Sequence, residues 1–264
     1  MKKLLGVCIV ALFAFTLTAC GGIQKFRTPG YLTVGISPDY PPYQFFYADG
    51  TTIVGSDVDF AKYLADKLGV ELRLVPMEFG AILTQLQLGR IDIGISAFTY
   101  EAERAVNFHL TNSYFNDGEG SQGILVHRSN LETHGTFELL NHSNVTVAAQ
   151  HGSVQHALVS EHLPQARLQT ISAVDLAVPL LLNGNVQAIA VAEVVARQIM
   201  NAHSDLVFIE DTFYSPYSGL LAVINRQNQE LFDAVQAIIA DFDQDLYAKW
   251  LEAAQELHDS LGLN

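Results

Sequence analysis

From Tyr31 onward, short apolar runs alternate with stretches whose apolar residues recur every three or four positions, several of them closed by a glycine. That alternation constrains the fold more than any other feature. A strand reads as an apolar or alternating run and a helix as a period near 3.6. Strands separated by helices stack into mostly parallel sheets covered on both faces. Strand-like runs fall at 31–37, 54–55, 71–77, 91–95, 123–127, 145–149, 168–171, 186–191 and 219–224. Helical patterns fall at 57–68, 80–88, 101–106, 154–162, 174–182 and 193–202, and residues 228–261 read as helix with one break. In the first helix Phe60, Ala61, Leu64 and Leu68 share a face and Gly69 is the stop. The class is α/β.

Two segments echo each other. AILTQLQLGRIDIGIS (81–96) and AVPLLLNGNVQAIAVA (177–192) both run from apolar helix through a glycine-bearing stop into an apolar strand. A repeated helix–strand unit predicts two lobes of similar architecture, and 264 residues are enough for two.

The first residues stand apart from this pattern. Lys2 and Lys3 precede an apolar run from Leu4 to Leu17, too short to span a bilayer and flanked as an export signal is. Leu17-Thr18-Ala19-Cys20 resembles the lipobox of bacterial lipoproteins, which implies cleavage before Cys20 and lipid on its sulfur. Residues 1–19 are then a signal peptide and 20–29 a tether, with Gly21-Gly22 at its start. Cys8 and Cys20 are the only cysteines, so neither a disulfide nor a thiol nucleophile is expected in the folded part. A net charge of −14 argues against a nucleic-acid partner, which needs clustered Lys and Arg.

Ligands of open α/β sheets bind beyond the carboxyl ends of strands, at helix N-termini. The residues at those places are Ser37, Asp39, Tyr40, Tyr43, Phe45 and Phe46 after the first strand, then Phe79, and then Ser96, Phe98, Thr99 and Arg104. Gln150-His151-Gly152-Ser153 opens a later helix, and Pro41-Pro42 stiffens the first loop. Aromatic walls, small hydroxyls and one guanidinium suit a small anion with an apolar part, and a carboxylate fits arginine bidentately. By position alone, Arg104 fits equally an ion pair with Glu101 or Glu103.

VGISPDYPPYQF, IVGSDVDFAKYLADKLGV, LQLGRIDIGISAFTYEAER, LLNGNVQAIAVAE and YAKWL occur in the order in which the polar amino-acid family of extracellular solute-binding proteins carries similar segments. Over about 31–251 the chain resembles that family, the receptors of ABC importers. The resemblance implies two α/β lobes, each a mostly parallel sheet flanked by helices, joined by two hinge strands and closing on a ligand. It places lobe 1 at about 30–116 and 213–264 and lobe 2 at 117–212. It implies that Tyr40 and Phe79 sandwich a ligand side chain, that Ser96, Ala97 and Thr99 supply hydroxyl and backbone contacts, and that Arg104 holds an α-carboxylate. Ser37 joins the ligand-facing set, with Ser153 at the second lobe's helix start. Val154 stands where the family has a hydroxyl. The crossing at 115–123 is longer than usual and carries three glycines. The family's ammonium-binding Asp falls at Ala192, so either a local bulge turns Glu193 into the cleft as the favoured substitute, or the ammonium is met elsewhere, or the ligand is a carboxylate without one. Implied with these are an amino-acid or related ligand, an ABC permease partner, a membrane anchor at Cys20, a monomer, and no cofactor, metal or catalytic residue.

Three rival readings make different demands. A cyclohexadienyl-type dehydratase needs a general acid in the cleft; Glu193, Glu78, Glu101, Asp39 and His151 are candidates, with no pair at an acid/base spacing. A metal protein would draw on the six histidines between His127 and His162, but none forms a two-histidine helix pair with a carboxylate. A surface antigen would keep the fold without tight binding.

Overall fold

The computed structural model describes residues 26–116, 121–214 and 219–262. The signal segment, Cys20, residues 21–25 of the tether and positions 117–120 of the first crossing lie outside the described residues. In chain order the elements are β1 (Tyr31–Ile36), β2 (Asp39–Tyr40), β3 (Gln44–Phe46), β4 (Ile53–Val54), α1 (Ser56–Leu68), β5 (Glu71–Pro76), α2 (Phe79–Gln87), β6 (Ile93–Phe98), α3 (Ala102–Asn107) and β7 (Phe108–Leu110). Next come β8 (Gln122–His127), α4 (Leu131–His134), α5 (Phe137–Leu140), β9 (Thr146–Gln150), α6 (Val154–His162), β10 (Arg167–Ile171), α7 (Ala177–Leu182), β11 (Ala188–Ala192), α8 (Glu193–Ala202) and β12 (Leu206–Phe213). The chain then returns through β13 (Leu221–Asn225) to α9 (Gln229–Ala240) and α10 (Gln244–Leu261).

Two five-stranded sheets result, ordered β5-β1-β6-β13-β7 and β10-β9-β11-β8-β12. The first three strands of each are parallel, and the fourth runs against its neighbours on both sides. The two echoed segments are α2–β6 and α7–β11, and β6 and β11 hold the same place in their sheets. Leu32, Val34, Ile93 and Ile95 are fully buried in the first sheet, and Ile124, Val126, Val147 and Ala188 in the second. Such unbroken apolar runs are what a sheet covered on both faces requires. A small sheet, β2-β3-β4, folds the loop after β1.

α1 turns its apolar stripe (Val58, Phe60, Ala61, Leu64, Ala65) inward and ends at Gly69, whose φ of 69° is the left-handed cap that glycine adopts without strain. It also buries a carboxylate. Asp57 is fully buried and accepts from the Ala97 N–H at 2.6 Å, the Tyr114 hydroxyl at 2.8 Å and the Tyr247 hydroxyl at 2.6 Å. Ala97 has φ +50°, a costly conformation for a residue with a Cβ. It lies where the β6–β13 pairing slips. Phe98 pairs with Leu221 and Gly94 with Val223, so four steps of β6 face two of β13. Such an irregularity re-aims side chains at a strand end.

Burial raises the Asp57 pKa to about 6, its three donors working against the rise. The folded chain therefore holds this proton between about pH 4 and 6 while the unfolded chain releases it. The associated stability is fully present below about pH 4 and is lost as pH rises through 6, a change on the order of 3 kcal/mol. Asp57→Asn cannot titrate and sets an amide N–H₂ against one of the donors. Chemical denaturation should show wild type gaining on the variant as pH falls from 7 to 4. A pH-independent difference would refute the raised pKa.

Candidate functional site

The carboxyl ends of the strands bring the loop after β1, the start of α2, the end of β6 and the start of α6 around one cleft between the lobes. They enclose a cavity of about 60 Å³, above the roughly 10–15 Å³ that one water needs. The first lobe contributes Asp39, Tyr40, Tyr43, Gln44, Phe79, Ser96, Ala97, Thr99 and Arg104 to the wall. The second contributes Gln122, Gln150, Ser153, Val154, Gln155, Ala192 and Val194, and the crossings add Phe115, Asn116, Gly219 and Leu220. Phe115 and Leu220 form an isolated antiparallel bridge, so the two crossings run side by side.

Arg104, in α3, is 3% exposed. One terminal nitrogen donates to the Thr99 carbonyl at 2.6 Å; the other donates to the Gly152 carbonyl at 3.0 Å and meets Glu101 Oε2 at 2.9 Å. Its guanidinium lies 5.1 Å from the Phe98 ring centre, and Nε is buried without a partner. Arg104 is thus ion-paired with Glu101, as one reading of its position had it, and also lies in the cavity wall. Burial lowers its pKa, against the pull of Glu101.

Across the cleft, the Ser153 hydroxyl caps α6 by accepting the His156 N–H at 3.1 Å. The first N–H groups of a helix have no intrahelical acceptor and suit an anion. Tyr40 reaches over from the first lobe. Its hydroxyl accepts from the Ala192 N–H at 3.2 Å and Gln155 Nε2 at 3.3 Å, burial raises its pKa, and its ring stacks on Tyr43. Asp39 makes the other bridge, accepting from Gln150 Nε2 at 2.6 Å and the Val174 N–H at 3.0 Å, and from Ser37 at 2.5 Å. Burial is the main cause of its raised pKa. Phe79 is both wall and core: it is 8% exposed and packs on Phe98 with ring centres 4.5 Å apart.

Two expected residues stand elsewhere. Ser37 lies behind the wall, its N–H on Ser96 Oγ at 3.1 Å and its hydroxyl on Asp39. Glu193 is the first residue of α8, and its carboxylate takes Arg197 at 2.6 Å one turn along and the Ser121 hydroxyl. Its neighbours Ala192 and Val194 line the cavity while Glu193 itself does not, so the structure does not bring the expected ammonium partner into the wall. Phe45 and Phe46 also fall outside the wall. Sequence reasoning passed over Gln44, Gln122 and Gln155, since an amide carries neither charge nor hydrophobic period to mark it.

A family model described as bacterial extracellular solute-binding proteins, family 3, matches residues 32–253. The arginine-binding extracellular protein ArtP of Bacillus subtilis (strain 168) is 27% identical over 260 residues, covering 95% of this chain and 98% of ArtP. The L-cystine-binding protein TcyJ of Escherichia coli (strain K12) is 28% identical over 261 residues, covering 96% of each chain. The crystal structure of an amino acid ABC transporter substrate-binding protein from Streptococcus pneumoniae, bound to L-arginine, gives a TM-score of 0.78 at 29% identity, covering 86% of this chain and 94% of that one.

The lobes touch where Gly80 meets His151. A Cβ built on Gly80 would sit 2.2 Å from His151 Nδ1 and 3.0 Å from its carbonyl oxygen. Gly80 lies in α2, where alanine is favoured by up to about 1 kcal/mol. Gly80→Ala should therefore leave the melting temperature unchanged or higher while holding the lobes apart. Small-angle X-ray scattering should report a larger radius of gyration than wild type; identical curves would mean that the contact does not limit closure.

Proposed function

We propose, from the premise that this chain belongs to the bacterial extracellular solute-binding proteins of family 3, that it is an extracytoplasmic receptor that takes an amino acid or a related small carboxylate into the cleft and delivers it to an ABC permease. The observation that carries this reading is Arg104, a cation buried in the cavity wall whose Nε has no partner and which contacts Gly152, just ahead of the α6 N-terminus. A solute carboxylate answers both: it gives the guanidinium an acceptor and meets the unpaired N–H groups of the helix start. Tyr40, Tyr43 and Phe79 offer apolar surface for the remainder of the solute. ArtP, TcyJ and the Streptococcus pneumoniae protein bind amino acids, which supports the choice of ligand class.

Catalysis has no part in this reading. Asp39 is held by three donors, and Glu193 is ion-paired outside the cavity. Turnover of cyclohexadienyl acids by the purified chain would overturn it. Among the described residues no helix is long and apolar enough to cross a membrane. The reading assigns membrane attachment to a lipid on Cys20, and Cys20→Ser should move the chain from the membrane to the soluble fraction. Unchanged partitioning would reject the anchor.

Arg104→Ala should cost on the order of 2–5 kcal/mol of binding to whichever amino acid a thermal-shift screen identifies, with the fold intact. Arg104→Lys keeps the charge but loses the fork, and should fall between. Near-normal affinity of the alanine variant would refute the clamp, and silence of wild type across all amino acids would favour a surface protein that keeps the fold without the ligand.

A further inference from the structure

A second and larger hollow adjoins the solute cavity. It is a groove of about 700 Å³ between the lobes, walled by Phe45 and Phe46 of the first lobe and by Val178, Leu182 and Ile199 of the second. Phe46 is exposed, so the groove is in contact with solvent. Among the described residues, Asp39 alone lines both the groove and the cavity. It is the partition between them.

Asp39 is built into the first lobe, where it pairs with Phe45 in the small sheet and the Ser37 hydroxyl donates to its Oδ1 at 2.5 Å. Its Oδ2 is given to the second lobe, accepting from Gln150 Nε2 at 2.6 Å and from the Val174 N–H at 3.0 Å. Gln150 is itself buried, and its Nε2 also donates to the Ser172 carbonyl at 3.1 Å, which holds it in place. One carboxylate oxygen thus carries two charge-assisted bonds across the gap. Bonds of that kind are stronger than the neutral ones that the Tyr40 hydroxyl makes to the same lobe. Every group in the contact belongs to the protein, so no solute is needed to form it.

We propose, resting on the receptor reading above, that Asp39 is the gate of the solute cavity. Its bonds to Gln150 and Val174 latch the lobes shut whether or not a solute is inside, and solute passes between groove and cavity while those bonds are broken. The resting receptor is then closed most of the time. Uptake and release are both bounded by the rate at which one carboxylate lets go of the opposite lobe. Such a gate sets how long a solute stays and is indifferent to its side chain.

The latch is tested on the full chain, refolded free of solute, by small-angle X-ray scattering and amide hydrogen exchange. Wild type is compared with Asp39→Ala and Gln150→Leu, with melting temperature as the check on folding. The reporter is the Ala192 N–H, which crosses the gap to Tyr40 and not to Asp39. Asp39→Ala should enlarge the radius of gyration and speed exchange at Ala192 by about ten-fold or more. Gln150→Leu removes one of the two donors from the other side, and should move both readouts the same way by less. Wild-type values in both variants would overturn the latch. So would faster exchange with unchanged scattering, which marks a local loosening of the loop. The gate is read by stopped flow with the standard amino acids as probes. Asp39→Ala should take up and release whichever binds at least about ten-fold faster than wild type. Faster release with unchanged uptake would overturn the gate and leave the receptor reading standing. No binding of any amino acid to wild type would overturn the receptor reading and the gate together, while scattering still decides the latch.

Discussion

Burying the Asp57 carboxylate away from any counter-cation obliges the rest of the chain to bring donors to it, and the three that arrive come from widely separated places. The Ala97 N–H belongs to the site loop, Tyr114 to the approach to the crossing, and Tyr247 to the C-terminal helix, where its hydroxyl also takes the Ser56 hydroxyl at 3.0 Å. An unsatisfied buried carboxylate is far more costly than any of these bonds is favourable, so the set forms together or not at all. The node couples the packing of α1 and α10 to the left-handed turn at Ala97, and that turn places Ser96, Thr99 and Arg104 at the cavity. Core and site share one electrostatic requirement.

Much of the architecture was legible because the strands and helices obey local rules. Gly69 stops α1 where only a left-handed cap will do, and α6 and α8 begin and end where the apolar period does. The echo between 81–96 and 177–192 anticipated two equivalent sheets. The misses share a cause. β2, β3 and β4 are two or three residues long, too short for a period. β7 is equally short, and β12 buries Leu206, Ile209 and Phe213 with no period of two and carries acidic Glu210 and Asp211 in its middle, so it shows no strand pattern. Those elements exist because the tertiary fold supplies their partners.

The site was legible in its charged and aromatic members and illegible in direction. Arg104, Tyr40 and Phe79 follow strand ends, where topology alone puts them near a cleft. Glu193 follows a strand end too, yet the backbone enters α8 at that residue and carries the carboxylate toward Arg197. Sequence position cannot give the azimuth of a side chain at a strand-to-helix junction. The glutamines were invisible for another reason: only the three-dimensional donor and acceptor count shows that Gln44 Oε1 is left over.

Both described ends of the chain belong to the first lobe. Arg27 donates its N–H to Asp92 Oδ1 at 2.6 Å beside β1, and α10 packs on α1. Among the described residues, every strand of the second sheet lies between β7 and β13 in sequence. A tether attached ahead of Phe26 would therefore ground the first lobe and leave the second as the moving arm. On the proposed reading, closure on a solute would then be the swing of one body about the paired crossings at Phe115 and Leu220, a displacement felt at the far lobe without contact with the solute.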